Sequence, residues 1–102
     1  MLVLPIKKQW FEMIANGEKK EEYREIKPYW TKRFDKYFHN RRGLLVTKEI
    51  IFRNGYSYKS PSIKCLVWLT RGTGKKEWGA NPNEKCYKLI ILRVLEVRNY
   101  NV

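Results

Sequence analysis

The sequence predicts an α+β fold: a small mixed or antiparallel β-barrel plugged or capped by one or two helices. Three observations carry that expectation. The chain has 102 residues, 43% hydrophobic and 15% aromatic, enough apolar area for one core without disulfide staples. Helical periodicity is confined to two short stretches before His39. The remainder reads as short strands divided by turn signals, with no internal repeat and no low-complexity tract. The chain is therefore read as a single domain, residues 1–102.

Leu2, Val3, Leu4 and Ile6 form a short buried strand that Pro5 and Lys7 stop. A helix over roughly Lys7–Asn16 follows, because Ile6, Trp10, Met13 and Ile14 fall on one apolar face. Trp10 is assigned to the core with that face. Asn16-Gly17 closes the helix, since glycine takes the left-handed conformation after the cap without a side-chain penalty. Glu18–Ile26 has no helical stripe and reads as a strand. On it Lys20, Glu22 and Arg24 share one face, and Lys19, Glu21, Tyr23 and Glu25 the other. Pro28 suits the first turn of a second helix, carried to about Phe38 by Tyr29, Trp30, Arg33, Phe34 and Tyr37.

His39–Gly43 reads as a polar loop, and a strand follows from Leu45 or Lys48 to Arg53. Asn54-Gly55 is the strongest turn signal, with Tyr56–Tyr58 expected to return as the partner strand. Ile63–Thr70 is a central strand in which Cys65, Val67 and Leu69 alternate with Lys64, Leu66 and Trp68; Trp68 is also assigned to the core. Arg71–Tyr87 contains Gly72, Gly74, Gly79 and Pro82 and reads as one long irregular loop, of a length that usually has a function. Leu89–Val97 is almost continuously apolar and is expected to run through the core.

Charge narrows the partner. The chain carries 22 Lys+Arg against 10 Asp+Glu, a net charge of +12. The excess is spread along the chain: eleven basic and six acidic side chains lie in Met1–Arg42, eleven and four in Gly43–Val102. A folded body with that field attracts polyanions, which makes nucleic acids and nucleotides the expected partners. No run approaches the roughly 18–20 apolar residues of a spanning helix, so no membrane partner is expected. The apolar part of MLVLPIKKQW is too short for a secretory leader, and Cys65 and Cys86 show no CxxC spacing. A reduced, cytoplasmic protein is the expectation. With one histidine and two cysteines, no metal site and no cofactor is expected.

The densest chemistry lies in Asn16–Trp30, NGEKKEEYREIKPYW, where three lysines, an arginine and four glutamates adjoin three aromatic rings. Gly17 permits a sharp turn from helix into strand. Lys19 supplies a point charge for a phosphate, or an amine whose pKa falls on burial. Glu22 can hold Lys19 or Arg24, or serve as a general base, and Arg24 offers a bidentate fork. Lys19 and Glu22 are an odd number of residues apart, so for both to face one cleft Lys19 must lie in the turn after Gly17. The plain alternative is a solvated charged strand, whose surface pairs each contribute under about 1 kcal/mol.

Gly17, Lys19, Glu22 and Arg24 fit the pattern GxKxxExR. With LPIKKQWFEMI before it, KPYW after it, and the later FRNGY and GTGKKEWGANP segments, the chain resembles the ASCH domain family, a β-barrel of the PUA-like superfamily. The resemblance spans almost the whole chain. It implies a PUA-like barrel with a cleft, lined by the motif, between the barrel and the first helix. It also implies two kinds of activity. Small members are similar to amidohydrolases acting on acylated cytidine, and others resemble ribonucleases. In the amidohydrolase group the motif lysine, matched by Lys19, works with a threonine and a distant glutamate. Glu22 stands in the threonine position and Glu77 is the available distant carboxylate, although its plain reading is an exposed loop charge. A carboxylate does not replace a hydroxyl nucleophile without changing the chemistry.

The leading expectation is thus an RNA- or nucleotide-binding cleft built on Gly17, Lys19, Glu22 and Arg24. Tyr23, Tyr29, Trp30 and Trp78 would stack on bases, while Arg41, Arg42, Arg53, Lys75 and Lys76 track a phosphate backbone. The alternative is a small hydrolase, an amidohydrolase or ribonuclease using Lys19 and Glu22 as catalytic residues. A basic surface that docks an acidic protein partner is the third reading.

Overall fold

The computed structural model describes residues 1–38 and 46–100. Five strands and two helices occur in the order β1 (Leu2–Pro5), α1 (Lys8–Ala15), β2 (Glu21–Arg24), α2 (Pro28–Phe38), β3 (Thr47–Arg53), β4 (Ser62–Thr73) and β5 (Lys85–Arg98), with a single 3-10 turn at Lys76–Trp78. The strands form one mixed sheet in the order β1-β3-β4-β5-β2, curled into a half-barrel. Only β1 and β3 are parallel; every other pair is antiparallel. The chain is α+β, as the element order predicts. The expected HNRRG loop, with His39, Arg41 and Arg42, and the Leu45 strand start lie outside the described residues.

The inner face of the sheet is the core. Ile50 and Phe52 of β3, Ile63, Cys65 and Val67 of β4, and Tyr87, Leu89 and Ile91 of β5 alternate inward. Phe11 and Ile14 of α1 and Phe34 and Phe38 of α2 close over them. Phe34 is the centre of an aromatic cluster, edge-on to Tyr87 at 5.1 Å and to Phe38 at 6.0 Å and stacked near Trp30 at 5.6 Å. Burial also pushes the Cys65 thiol up to about 12, because a thiolate there would be stripped of water.

Curvature comes from two register shifts in the β4–β5 ladder, at Lys64/Cys65 and Leu66/Val67. Each leaves one extra residue on β5, Leu95 and Leu92 respectively, and bulges of this kind bend and twist the bulged strand. They overturn the expectation that β5 runs wholly through the core. Its first half does, but Leu92, Val94, Leu95 and Val97 are exposed.

Other expectations are also corrected. Tyr56–Tyr58 is not a strand: β3 and β4 are joined by a longer turn whose ends meet where Asn54 N–H donates to the Pro61 carbonyl at 2.9 Å. The long loop is shorter than Arg71–Tyr87, because backbone pairing extends β4 to Thr73 and starts β5 at Lys85. Strand β2 is four residues long instead of nine, since its ladder with β5 spans only Glu21–Arg24. Trp10 and Trp68 are half-buried and stand outside the core cluster. On α1 the sealed positions are Phe11 and Ile14, which rotates the buried face away from Trp10. On β4, Trp68 is out of phase with Cys65 and Val67 and points to the outer face.

Phe34→Ala removes a fully buried ring contacted from both helix and sheet. Its urea midpoint should fall by the equivalent of about 3–5 kcal/mol with an unchanged slope.

Candidate functional site

β1 and β2 are the two edges of the sheet, and the seam between them is where the half-barrel stays open. Glu22 lies opposite Leu89 and Arg24 opposite Tyr87 in the β2–β5 ladder. Directly opposed residues share a face, so both charged side chains point to the inner, core side of the seam. Two of the motif's charges are therefore carried inward by strand register.

Lys19 reaches the same place by another route. Asn16 and Gly17 end α1, with Gly17 at φ +87° donating to the Ile14 carbonyl at 3.2 Å. The Lys19 amide then donates to the Met13 carbonyl at 2.9 Å, still within the turn and before β2 begins. This solves the parity problem: Lys19 is not on the strand, and its side chain turns inward to meet Glu22.

The three charges form one chain. Lys19 Nζ lies 3.0 Å from Glu22 Oε1, and Arg24 Nη1 lies 2.5 Å from Glu22 Oε2. Lys19 is 1% exposed and Glu22 5%. Lys19 also donates to the Trp78 carbonyl, and its ammonium sits 4.5 Å from the Trp10 ring centre and 5.1 Å from that of Tyr23. Arg24 spends its remaining fork on the backbone. Nη1 donates to the Tyr23 carbonyl at 2.7 Å and Nη2 to the Pro5 carbonyl at 2.8 Å. Pro5 ends β1, so Arg24 ties one edge of the half-barrel to the other. Desolvation pulls the Lys19 pKa below its ordinary value, and the neighbouring Glu22 carboxylate opposes that fall without cancelling it.

Aromatic walls stand over this buried chain. A cleft of about 280 Å³ is lined by Pro5, Lys7, Trp10, Trp30, Trp78 and Gly79 among others. A larger one of about 520 Å³ adjoins it, sharing Tyr23, Arg24, Trp30 and Gly79 and reaching Asn81, Glu84 and Cys86. Both approach the scale of small-molecule sites, about 300–1,000 Å³. Arg24 stacks its guanidinium 5.2 Å from Trp30, and Lys75 lies 4.4 Å from the Trp78 ring. Gly79, at φ +98°, lets the loop press onto Trp10, where a Cβ would come within 2.9 Å of Cζ2.

Not every expected residue joins the cleft. Glu22, Arg24, Trp30 and Trp78 line it, while Lys19 is buried on Glu22 and lines neither cleft, nor does Gly17 in the turn that places Lys19. Tyr29 is exposed on α2 and packs on Arg33 at 4.4 Å, outside both cleft linings. Lys76 and Glu77 are exposed in the 3-10 turn and line neither cleft. Arg53 lies at the far end of β3, on a different depression. Sequence reasoning missed Trp10 and Lys7, whose helical stripe reads as core and surface, and the loop residues Gly79, Asn81 and Glu84. The length and glycine content of the late loop were the available signals.

Among the described residues no three His, Cys, Asp or Glu side chains are grouped to hold a metal ion. No helix among them is long and apolar enough to cross a membrane. No family model matches this chain, and comparisons with curated proteins and with solved structures return no match.

Glu22→Gln leaves two buried cations without their carboxylate and should cost about 3–5 kcal/mol in chemical denaturation. Lys19→Met should cost less, because Arg24 remains to pair Glu22. The lowered Lys19 pKa also sets a sign. Between the native value and the ordinary 10.5, the unfolded chain holds a proton that the folded chain has released. Stability contributed by this site therefore rises with pH across that window and is absent below the native pKa. Urea midpoints of the native chain minus those of Lys19→Met should increase from about pH 7 to pH 10.

Proposed function

We propose that this chain is an ASCH-type, PUA-like domain that binds RNA or a nucleotide-like ligand in the tryptophan-lined clefts over the Lys19–Glu22–Arg24 chain. The observation that carries the reading is the convergence of Trp10, Trp30 and Trp78 around a concave opening on a strongly basic chain. Every base has a flat face to stack, and its phosphate is drawn by the positive field. The motif's charges act here as a frame. Lys19 Nζ is surrounded by Glu22, the Trp78 carbonyl and two rings, and the Arg24 fork is occupied by Glu22 and two carbonyls. Ligand contact falls to the ring faces and to exposed Lys7 and Lys75.

A second reading has one observation in its favour. A buried lysine with a lowered pKa, paired to a carboxylate that lines a cleft, is the kind of group enzymes use for proton transfer. A hydrolase acting on an acylated nucleoside or RNA through Lys19 and Glu22 would require the Trp78 carbonyl to release Nζ so that it can reach substrate.

Because three tryptophans line the opening, base stacking should quench intrinsic fluorescence on titration with uridine or cytidine monophosphate. Trp30→Ala should weaken that binding by about 1–3 kcal/mol, with Trp30→Phe recovering most of it. Quenching that survives unchanged in Trp30→Ala would sink the cleft reading. Release of acid from an acylated cytidine, abolished in Lys19→Met while mononucleotide binding persists, would select the hydrolase.

A further inference from the structure

Two of the most exposed large side chains of the molecule sit together on the turn between β3 and β4. Tyr56 is 92% exposed and Tyr58 79%. The turn that holds them is well tied. Asn54 N–H bonds the Pro61 carbonyl at 2.9 Å, the Ser60 amide bonds the Ser57 carbonyl at 2.9 Å, and the Lys59 amide bonds Ser57 Oγ at 3.1 Å. Asn54 Nδ2 reaches across to the Ile6 carbonyl at 3.1 Å, and Ile6 lines the smaller tryptophan cleft. An ordered turn that presents two rings to water has prepaid the entropy of stacking on something flat.

Behind the rings lies a depression of about 510 Å³ whose charge is mostly positive: Arg53, Lys59, Lys64 and Arg98 against Glu96. Glu96 is already bracketed, 2.7 Å from Arg98 and 4.0 Å from Lys64, and its carboxyl is held below the usual range chiefly by the Arg98 hydrogen bond. No Asp or Glu side chain among the described residues pairs with Arg53 or Lys59, and Arg53 Nε is buried without a hydrogen-bond partner among them. A bound anion would offset that uncompensated charge. A shallow groove lined by Pro5, Ile6, Lys7, Asn54, Gly55 and Tyr56 shares its first three residues with the tryptophan cleft, and its Asn54 directly follows Arg53 of the depression in the chain. Rings and cations thus occur on neighbouring surfaces: Trp10, Trp30 and Lys7 on the cleft, Tyr56 on the groove, and Tyr58, Lys59 and Arg53 on the depression.

We infer that the β3–β4 turn and the basic depression behind it are a second contact for single-stranded nucleic acid, with Tyr56 and Tyr58 stacking on bases and Lys59, Lys64 and Arg53 receiving phosphates. The inference rests on the nucleic-acid reading of the tryptophan cleft and extends it from a nucleotide-sized site to a strand-sized one. Single-stranded binding grooves combine these two elements, stacking rings and a tracked positive groove. An acidic protein could use the same cations and rings, and competition by polyglutamate separates it from nucleic acid.

The test is fluorescence anisotropy with a labelled single-stranded oligouridylate of about 12 nucleotides, a length within the span of such grooves. Thermal shift with uridine monophosphate runs in parallel. Both tyrosines project into solvent, so the variants keep the fold. In Tyr56→Ala/Tyr58→Ala the oligonucleotide Kd should weaken at least roughly fivefold, while the mononucleotide shift stays unchanged. In Lys59→Ala the slope of log Kd against log salt should drop by about 1. Oligonucleotide binding that is indifferent to all these changes overturns the second contact and leaves the cleft reading standing. Turn-dependent oligonucleotide binding without any mononucleotide shift supports the second contact and removes the cleft. Displacement of the oligonucleotide by polyglutamate or by anionic phosphatidylserine vesicles at equal charge, with no preference for RNA, overturns the nucleic-acid assignment.

Discussion

A single buried carboxylate holds this architecture at its weakest point. Glu22 gives one oxygen to Lys19 and the other to Arg24, inside a seam where a half-barrel would otherwise expose its core. Taking three charges from water is expensive, and their mutual attraction offsets that only when hydrogen bonds use up the remaining donors. Here they do. Lys19 finds the Trp78 carbonyl and Arg24 the carbonyls of Tyr23 and Pro5. The result joins four separate segments: the end of β1, the turn after α1, β2, and the loop between β4 and β5.

That arrangement also explains how a cleft survives in so small a core. A hydrophobic seam would collapse until β1 and β2 met or the helices filled it. An ion chain has fixed lengths and needs carbonyls at set positions, so it props the seam open while keeping it dry. The rings of Trp10 and Tyr23 lie against the Lys19 ammonium, and Trp30 against the Arg24 guanidinium, each gaining from the cation while lining the opening. Inward charges build the walls, and outward charges are left to attract a ligand. A motif rich in both signs serves both ends.

The sheet's curvature sets where that opening points. Two bulges in β5 bend the ladder with β4, so that the first half of β5 packs beneath the helices and the second half emerges into solvent. The turn from the end of β3 to the start of β4 carries the two exposed tyrosines beside the basic depression.

Apart from the expected Tyr56–Tyr58 strand, the order of elements was legible in the sequence, as were both helices, the positive field and the GxKxxExR cluster, because periodicity, caps, charge and spacing act over a few residues. Gly17 ends α1 by its own conformational freedom, and from there Lys19 could only be a turn residue if it was to meet Glu22. Pairing decided the rest. Register opposite Leu89 and Tyr87 is what sends Glu22 and Arg24 inward. Bulges strip half of an apolar strand from the core, and packing of α1 through Phe11 and Ile14 leaves Trp10 to line the cleft, where Gly79 presses onto it. Local sequence fixes which way a short segment folds. Only contacts between distant segments decide which face is buried, because burial belongs to the pair of surfaces and not to either one alone.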